Sequence, residues 1–124
     1  MTTMSAKDLV AEAREAAGTV TPAEAHGGGG LILDVREPGE LDTKGRLAGA
    51  VHVPRGLLEF AADPDSPLAN RRLTGGRNGE VHVLCASGGR AALAAATLNR
   101  MGYSARVIEG GLDGWEKAGL PVQR

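Results

Sequence analysis

The sequence predicts an α/β fold with a mostly parallel central sheet and helices on both faces. Two observations carry this. Short apolar runs at 31–35, 50–53, 81–84 and 105–108 alternate with helix-forming stretches. The first run, broken only by Asp34 and flanked by glycines and Pro38, fits a strand buried on both faces. The length of 124 residues suits one domain with a core of its own. No internal repeat divides it.

In chain order, residues 5–17 read as an amphipathic helix. Ser5 can cap it, Asp8 stands in its first turn, Leu9, Ala13 and Ala16 share a face, and Gly18 ends it. Thr19 and Val20 suit a very short strand. Thr21 followed by Pro22 marks a second helix start, running to about His26. Glycines 27–30 cannot sustain a helix and precede a strand, outside any phosphate-loop register. After the 31–35 strand, residues 37–43 suit a short helix, 50–53 a second strand and 57–61 a helical turn. Residues 63–80, rich in Pro, Asp, Asn, Arg and Gly, read as a surface loop. The strand 81–84 leads into a helix over 91–101, closed by Gly102, and the strand 105–108 into a last helix over 112–118. The expected division is a helical extension over 1–18 and one domain over 19–124.

Composition excludes several functions. With 14 basic and 15 acidic residues the net charge is -1, unlike the basic face of a nucleic-acid binder. One each of Phe, Tyr and Trp leaves no base-stacking platform. No apolar run approaches the ~20 residues of a membrane-spanning helix. The first residues lack the apolar core of a secretory signal, which makes the cytoplasm the default location. Neither a nucleic acid nor a membrane is expected as partner. A single cysteine, Cys85, rules out an internal disulfide and a multi-cysteine zinc site. The three histidines share no metal-ligand spacing. His82 sits three residues from Cys85, so on a strand the two face opposite sides; His82 and His52 read as strand histidines and His26 as a solvated one. Trp115 reads as the anchor of the last helix.

The position of Cys85 gives it chemistry. It follows the third apolar run, where open parallel sheets bind ligands. The segment Cys85-Ala86-Ser87-Gly88-Gly89-Arg90 is small and permissive, so its N–H groups can curl inward into an anion nest at a helix start, with Arg90 supplying a fixed positive charge. Such an environment is expected to lower a thiol from about 8.5 toward roughly 3.5–7.5. Cys85 is thus the candidate nucleophile, and Ala86, Ser87, Gly88, Gly89 and Arg90 are the candidate substrate-binding residues. Phosphatases and arsenate reductases with a cysteine loop place five residues between Cys and Arg; here there are four. The shorter loop favours holding one extra sulfur atom over a tetrahedral oxyanion.

Four segments resemble the signatures of the rhodanese-like sulfurtransferase family, as a single-domain rhodanese. Leu33-Asp34-Val35-Arg36-Glu37-Pro38-Gly39-Glu40 resembles LDVREPxE. Residues 45–54 resemble GHIPGAxxxP, with Arg46 and Ala48 in place of its usual His and Pro. Residues 85–90 match the CxSGxR loop, and 109–122 the ending EGGxxxWxxxGxPV. Together they cover about 19–122. The resemblance implies a rhodanese-like fold and a persulfide on Cys85, formed from a small-molecule sulfur donor such as thiosulfate and passed to cyanide, a thiol or a protein acceptor. It implies neither metal nor organic cofactor. With no second cysteine, the acceptor must be external. Ala86 is neutral where some thiosulfate-using relatives carry a basic residue, and the Cys-x-Ser-Gly start is similar to that of mercaptopyruvate sulfurtransferases, so 3-mercaptopyruvate is the alternative donor. Asp34 and Arg36 read as an ion pair that fixes loops or, for Arg36, as a substrate contact; Arg55 is a further secondary candidate. A regulatory or sulfur-carrier module without turnover is the reading from another class.

Overall fold

In the computed structural model, which describes residues 3–124, five strands form one all-parallel sheet in the order β1-β5-β4-β2-β3. The first two residues of the expected 1–18 extension lie outside the described residues. The strands are β1 (Thr19–Val20), β2 (Leu31–Asp34), β3 (Val51–His52), β4 (Glu80–Leu84) and β5 (Ser104–Ile108). The helices are α1 (Ala6–Ala17), α2 (Pro22–Gly27), α3 (Pro38–Lys44), α4 (Leu58–Ala62), α5 (Arg71–Thr74), α6 (Gly89–Arg100) and α7 (Gly111–Lys117).

Local chemistry explains the helix starts. Ser5 Oγ accepts from the Asp8 N–H at 3.1 Å while Asp8 accepts from the Ser5 N–H at 3.0 Å, a capping box at the head of α1. Thr21 and Glu24 repeat it at α2, where Pro22 occupies a position that has no N–H to satisfy. Among the described residues, no helix is long and apolar enough to cross a membrane.

Alternation along β4 divides the core between the two faces of the sheet. Val81, Val83 and Cys85 pack on the side of α1, α4, α5 and α6, and Leu84 packs with Leu112 and Trp115 of α7 on the other. Ala91, Ala92, Ala94 and Ala95 are fully buried, so α6 lies close to the sheet on one side and receives α1, through Val10, Ala13 and Ala17, on the other. Trp115 is buried as expected, and its indole N–H donates to the Pro121 carbonyl at 2.9 Å, tying the chain end to α7. His26, exposed as expected, sets its ring edge-on against Trp115.

Two expectations need correction. The segment 63–80 is not merely a surface loop. It carries α5, capped by Asn70, whose side chain accepts from the N–H groups of Arg72 and Leu73. Leu73 is fully buried under α4. A four-residue helix is too short to show apolar periodicity, so the glycines and prolines around it mask it. Second, α6 begins at Gly89 rather than at 91, because Gly88 takes up the turn that starts it. The two leucines of the 63–80 segment should therefore behave differently. Leu73→Ala is expected to lower unfolding stability by about 2–5 kcal/mol, and Leu68→Ala, on a mostly exposed residue, by less than about 0.5 kcal/mol, as read from urea midpoints.

Candidate active site

The strand order reverses between β2 and β4: the chain leaves β2 for β3 on one side and β4 for β5 on the other. The crevice beyond their carboxyl ends is where an open parallel sheet places a ligand. Cys85 is the first residue after β4. It is 1% exposed, and its Sγ accepts from the Gly88 N–H at 3.0 Å and the Ala91 N–H at 3.3 Å. Both dipoles aim at one sulfur at the head of a twelve-residue helix, which stabilises negative charge there. Gly88 has φ +121°, a conformation that side chains rarely adopt, and this lets the loop fold back on the sulfur. Ser87 stands exposed at the loop's tip.

The loop is also held from behind. The Leu112 N–H donates to the Cys85 carbonyl at 2.8 Å and the Asp113 N–H to the Ala86 carbonyl at 3.2 Å. Gly111, at φ +59°, lies so close that a Cβ there would overlap the Cys85 carbonyl oxygen and come within 2.6 Å of Ala86. This close approach is the physical reason for the Glu109-Gly110-Gly111 segment.

Arg90 stays within charge–charge range of Cys85. Its guanidinium forms a two-pronged pair with Glu40, Nη1 to Oε2 at 2.7 Å and Nη2 to Oε1 at 2.8 Å. Glu40 Oε2 also accepts from the Glu37 N–H at 2.7 Å. Chiefly through the hydrogen bonds from Arg90, the Glu40 carboxyl is lowered to about 2, and the same bonds raise Arg90 above its ordinary value. Glu40 closes the segment that resembles LDVREPxE and stands in the first turn of α3, but neither signal names Arg90 as its partner. The sequence reading also stops one residue short of the second sulfur donor, the Ala91 N–H.

Of the secondary candidates, Asp34 and Arg36 form a buried ion pair at 2.6 Å. Arg36 also reaches the Gly45 carbonyl at 2.9 Å, while its own carbonyl meets His52 Nε2 at 2.7 Å. The pair therefore ties β2, α3 and β3 together beside the loop. Arg55 bonds to Glu59 and to Thr97 on α6. His82 turns to Glu80 at 3.3 Å, on the opposite face from Cys85.

Residues 13–118 match the rhodanese-like domain family. The chain belongs to that family. A curated relative, thiosulfate sulfurtransferase 16 (chloroplastic) of Arabidopsis thaliana, is 35% identical over 99 residues, covering 77% of this chain and 81% of the relative. Among solved structures, a Rhodopseudomonas palustris protein of unknown function, described as a possible tyrosine phosphatase, superposes with TM-score 0.88 at 33% identity, over 99% of this chain and 97% of that one. A rhodanese-related protein of Thermoplasma volcanium follows at TM-score 0.68 and 28% identity, over 84% and 95%. The first of these structures spans α1 as well, so the helix expected as an extension has a counterpart in a rhodanese-fold relative.

Two substitutions probe how the rhodanese loop is held. Gly111→Ala should lower the unfolding midpoint by the equivalent of about 2 kcal/mol or more, from left-handed strain and overlap with the Cys85 carbonyl. Glu40→Gln should show a pH-dependent loss. The folded Glu40 carboxyl sits below its ordinary 4.5, so its stabilisation is full above that pH and lost as pH falls toward about 2. The wild-type advantage over Glu40→Gln, about 1 kcal/mol or less for this partly exposed pair, should be constant from neutral pH to about 5 and fade below it, as followed by chemical denaturation at each pH.

Proposed function

We propose that this rhodanese moves a sulfane sulfur from a small donor, thiosulfate first and 3-mercaptopyruvate as alternative, to an external acceptor through a persulfide on Cys85. The observation that carries the reading is the sulfur cradle, in which the N–H groups of Gly88 and Ala91 converge on Sγ at the carboxyl end of β4. In the first half-reaction the Cys85 thiolate attacks the outer sulfur of thiosulfate, that sulfur's bond to the sulfite sulfur breaks, and sulfite leaves with the bonding pair. The loop amides then face the negative charge carried by the outer sulfur. In the second half-reaction an acceptor nucleophile attacks that sulfur and Cys85 leaves as thiolate. Two steps through a covalent enzyme give ping-pong kinetics. Cys85 is the only thiol of the chain, so release does not use an internal resolving cysteine.

Phosphoryl transfer is the competing reading, since a close structural neighbour is described as a possible phosphatase. Two features weigh against it: the loop has one residue fewer than a phosphate cradle of this type, and the Arg90 guanidinium is taken by Glu40 rather than left to a phosphate. Turnover also separates the enzyme from a regulatory or carrier module without catalysis.

With thiosulfate and cyanide the wild type should form thiocyanate, and Cys85→Ser should lose at least about 1000-fold of the rate. Thiosulfate alone should add the mass of one sulfur atom to the intact wild-type chain, reversibly by a reducing thiol, and nothing to Cys85→Ser. Equal thiocyanate rates in the two proteins, or hydrolysis of an aryl phosphate with no added sulfur, would overturn the reading.

A further inference from the structure

An open pocket of about 620 Å³ adjoins the loop at Ser87, walled by Arg14 and Glu15 from the end of α1, Thr19 of β1, and Glu109 just past β5. The guanidinium of Arg14 lies over the loop: a Cβ placed on Gly88 would meet its Nη2 at 2.9 Å. Gly88 is one of the two residues whose N–H donates to Sγ. The Glu109 carboxylate is held in place by the Thr19 hydroxyl, which donates to it at 2.9 Å. Among the described residues, Arg14, Glu15 and Glu109 form no ion pair with one another or with any other side chain. The pocket thus presents one cation and two carboxylates, separate and open to solvent, beside the loop that carries Cys85.

That charge pattern does not suit a plain dianion, which would meet two carboxylates for one guanidinium. It suits a molecule carrying a carboxylate and an ammonium on one carbon. We infer that this pocket binds the zwitterionic head of an amino-acid thiol of the cysteine class as sulfur acceptor. The carboxylate pairs with Arg14, the ammonium with Glu109 and Glu15, and the thiol reaches past Ser87 toward Cys85. The acceptor role rests on the persulfide reading above. The step balances: the acceptor thiol gives its proton to solvent, and its thiolate bonds to the outer sulfur of the Cys85 persulfide. The outer sulfur's bond to Sγ breaks, Cys85 leaves as thiolate, and the product is the acceptor's persulfide. Sulfane sulfur moves with no net oxidation or reduction. Arg14 is in this role a specificity-determining residue supplied by α1.

Charge selection at the pocket can be read without any persulfide. Cys85 is the only thiol, so mixed-disulfide formation, followed by intact mass, reports it alone. The probes are cystine (zwitterionic ends), cystamine (cationic ends) and 3,3'-dithiodipropionate (anionic ends). Arg14→Gln should slow cystine and dithiodipropionate by about three- to fivefold and leave cystamine unchanged or faster. Glu109→Gln should slow cystine and cystamine by a similar factor and not dithiodipropionate. Arg14→Lys, which keeps the cation, should recover most of the cystine rate. Equal slowing of all three probes, or of none, overturns the pocket assignment whatever the sulfur chemistry. In the thiosulfate-loaded protein, Arg14→Gln should raise KM for cysteine more than for cysteamine. Failure of thiosulfate to load Cys85 would overturn the sulfurtransferase reading and the acceptor role with it. Normal loading without charge selection would overturn the pocket alone.

Discussion

The peptide joining Cys85 to Ala86 has no room behind it for a side chain, and the site depends on that contact. Gly111 fills the space, and the next two N–H groups of α7 take the two carbonyls of this peptide pair. With its carbonyls turned backward to α7, the loop's amides are free to turn forward. Two of them, from Gly88 and Ala91, meet on Sγ. The cradle is thus made by pinning the far side of the loop, and a backbone so held needs little reorganisation when charge develops on sulfur.

The charged residues around the loop divide into holders and open groups. Asp34 and Arg36 are buried and paired, with Arg36 also bridging to the Gly45 carbonyl at the end of α3 and its Nη1 left without a partner among the described residues. A buried pair of this kind is weak as a source of net stability but strongly punishes the loss of either partner. Glu40 and Arg90 clasp α3 to the start of α6 from the rim of the site. The second pair joins the helix after β2 to the helix after β4, across the point where the sheet's winding reverses, while the first stays within β2, α3 and β3. Arg90, expected as the cation of the anion nest, is paired with Glu40 in this clasp and still lies within charge–charge range of Cys85. The direct contacts on the sulfur come from amide dipoles at the helix head, and an open cation over the loop comes from α1.

Much of this was legible in the sequence because each feature had a local cause. The alternation of apolar runs with helix formers predicts the parallel sheet, and Ser5, Thr21 and Pro22 mark helix starts that the structure reproduces. The small residues after Cys85 predict a loop that can fold onto the sulfur. What escaped depends on contacts distant in sequence. Glu40 stands fifty residues from Arg90, and nothing in its own segment indicates which cation it meets. Leu73 is a lone apolar residue amid glycines and arginines, and its burial follows from α4 closing over it rather than from any period. Gly111 can be read as a turn former, but only the packed structure reveals the overlap that forbids a side chain.

The placement of α1 shows how one helix can answer two demands. Its inward face, Val10, Ala13 and Ala17, consists of small and branched residues that sit against the alanines of α6. Small residues on both helices bring their axes close, and closeness puts the outer edge of α1 level with the loop. Arg14, adjacent to the buried Ala13, is then carried over Gly88 by packing that serves stability alone. The positive φ of Gly88 disfavours a side chain there, so the turn that shapes the sulfur cradle also leaves space for the arginine. A core contact between α1 and α6 thereby sets the electrostatics over the loop that carries Cys85.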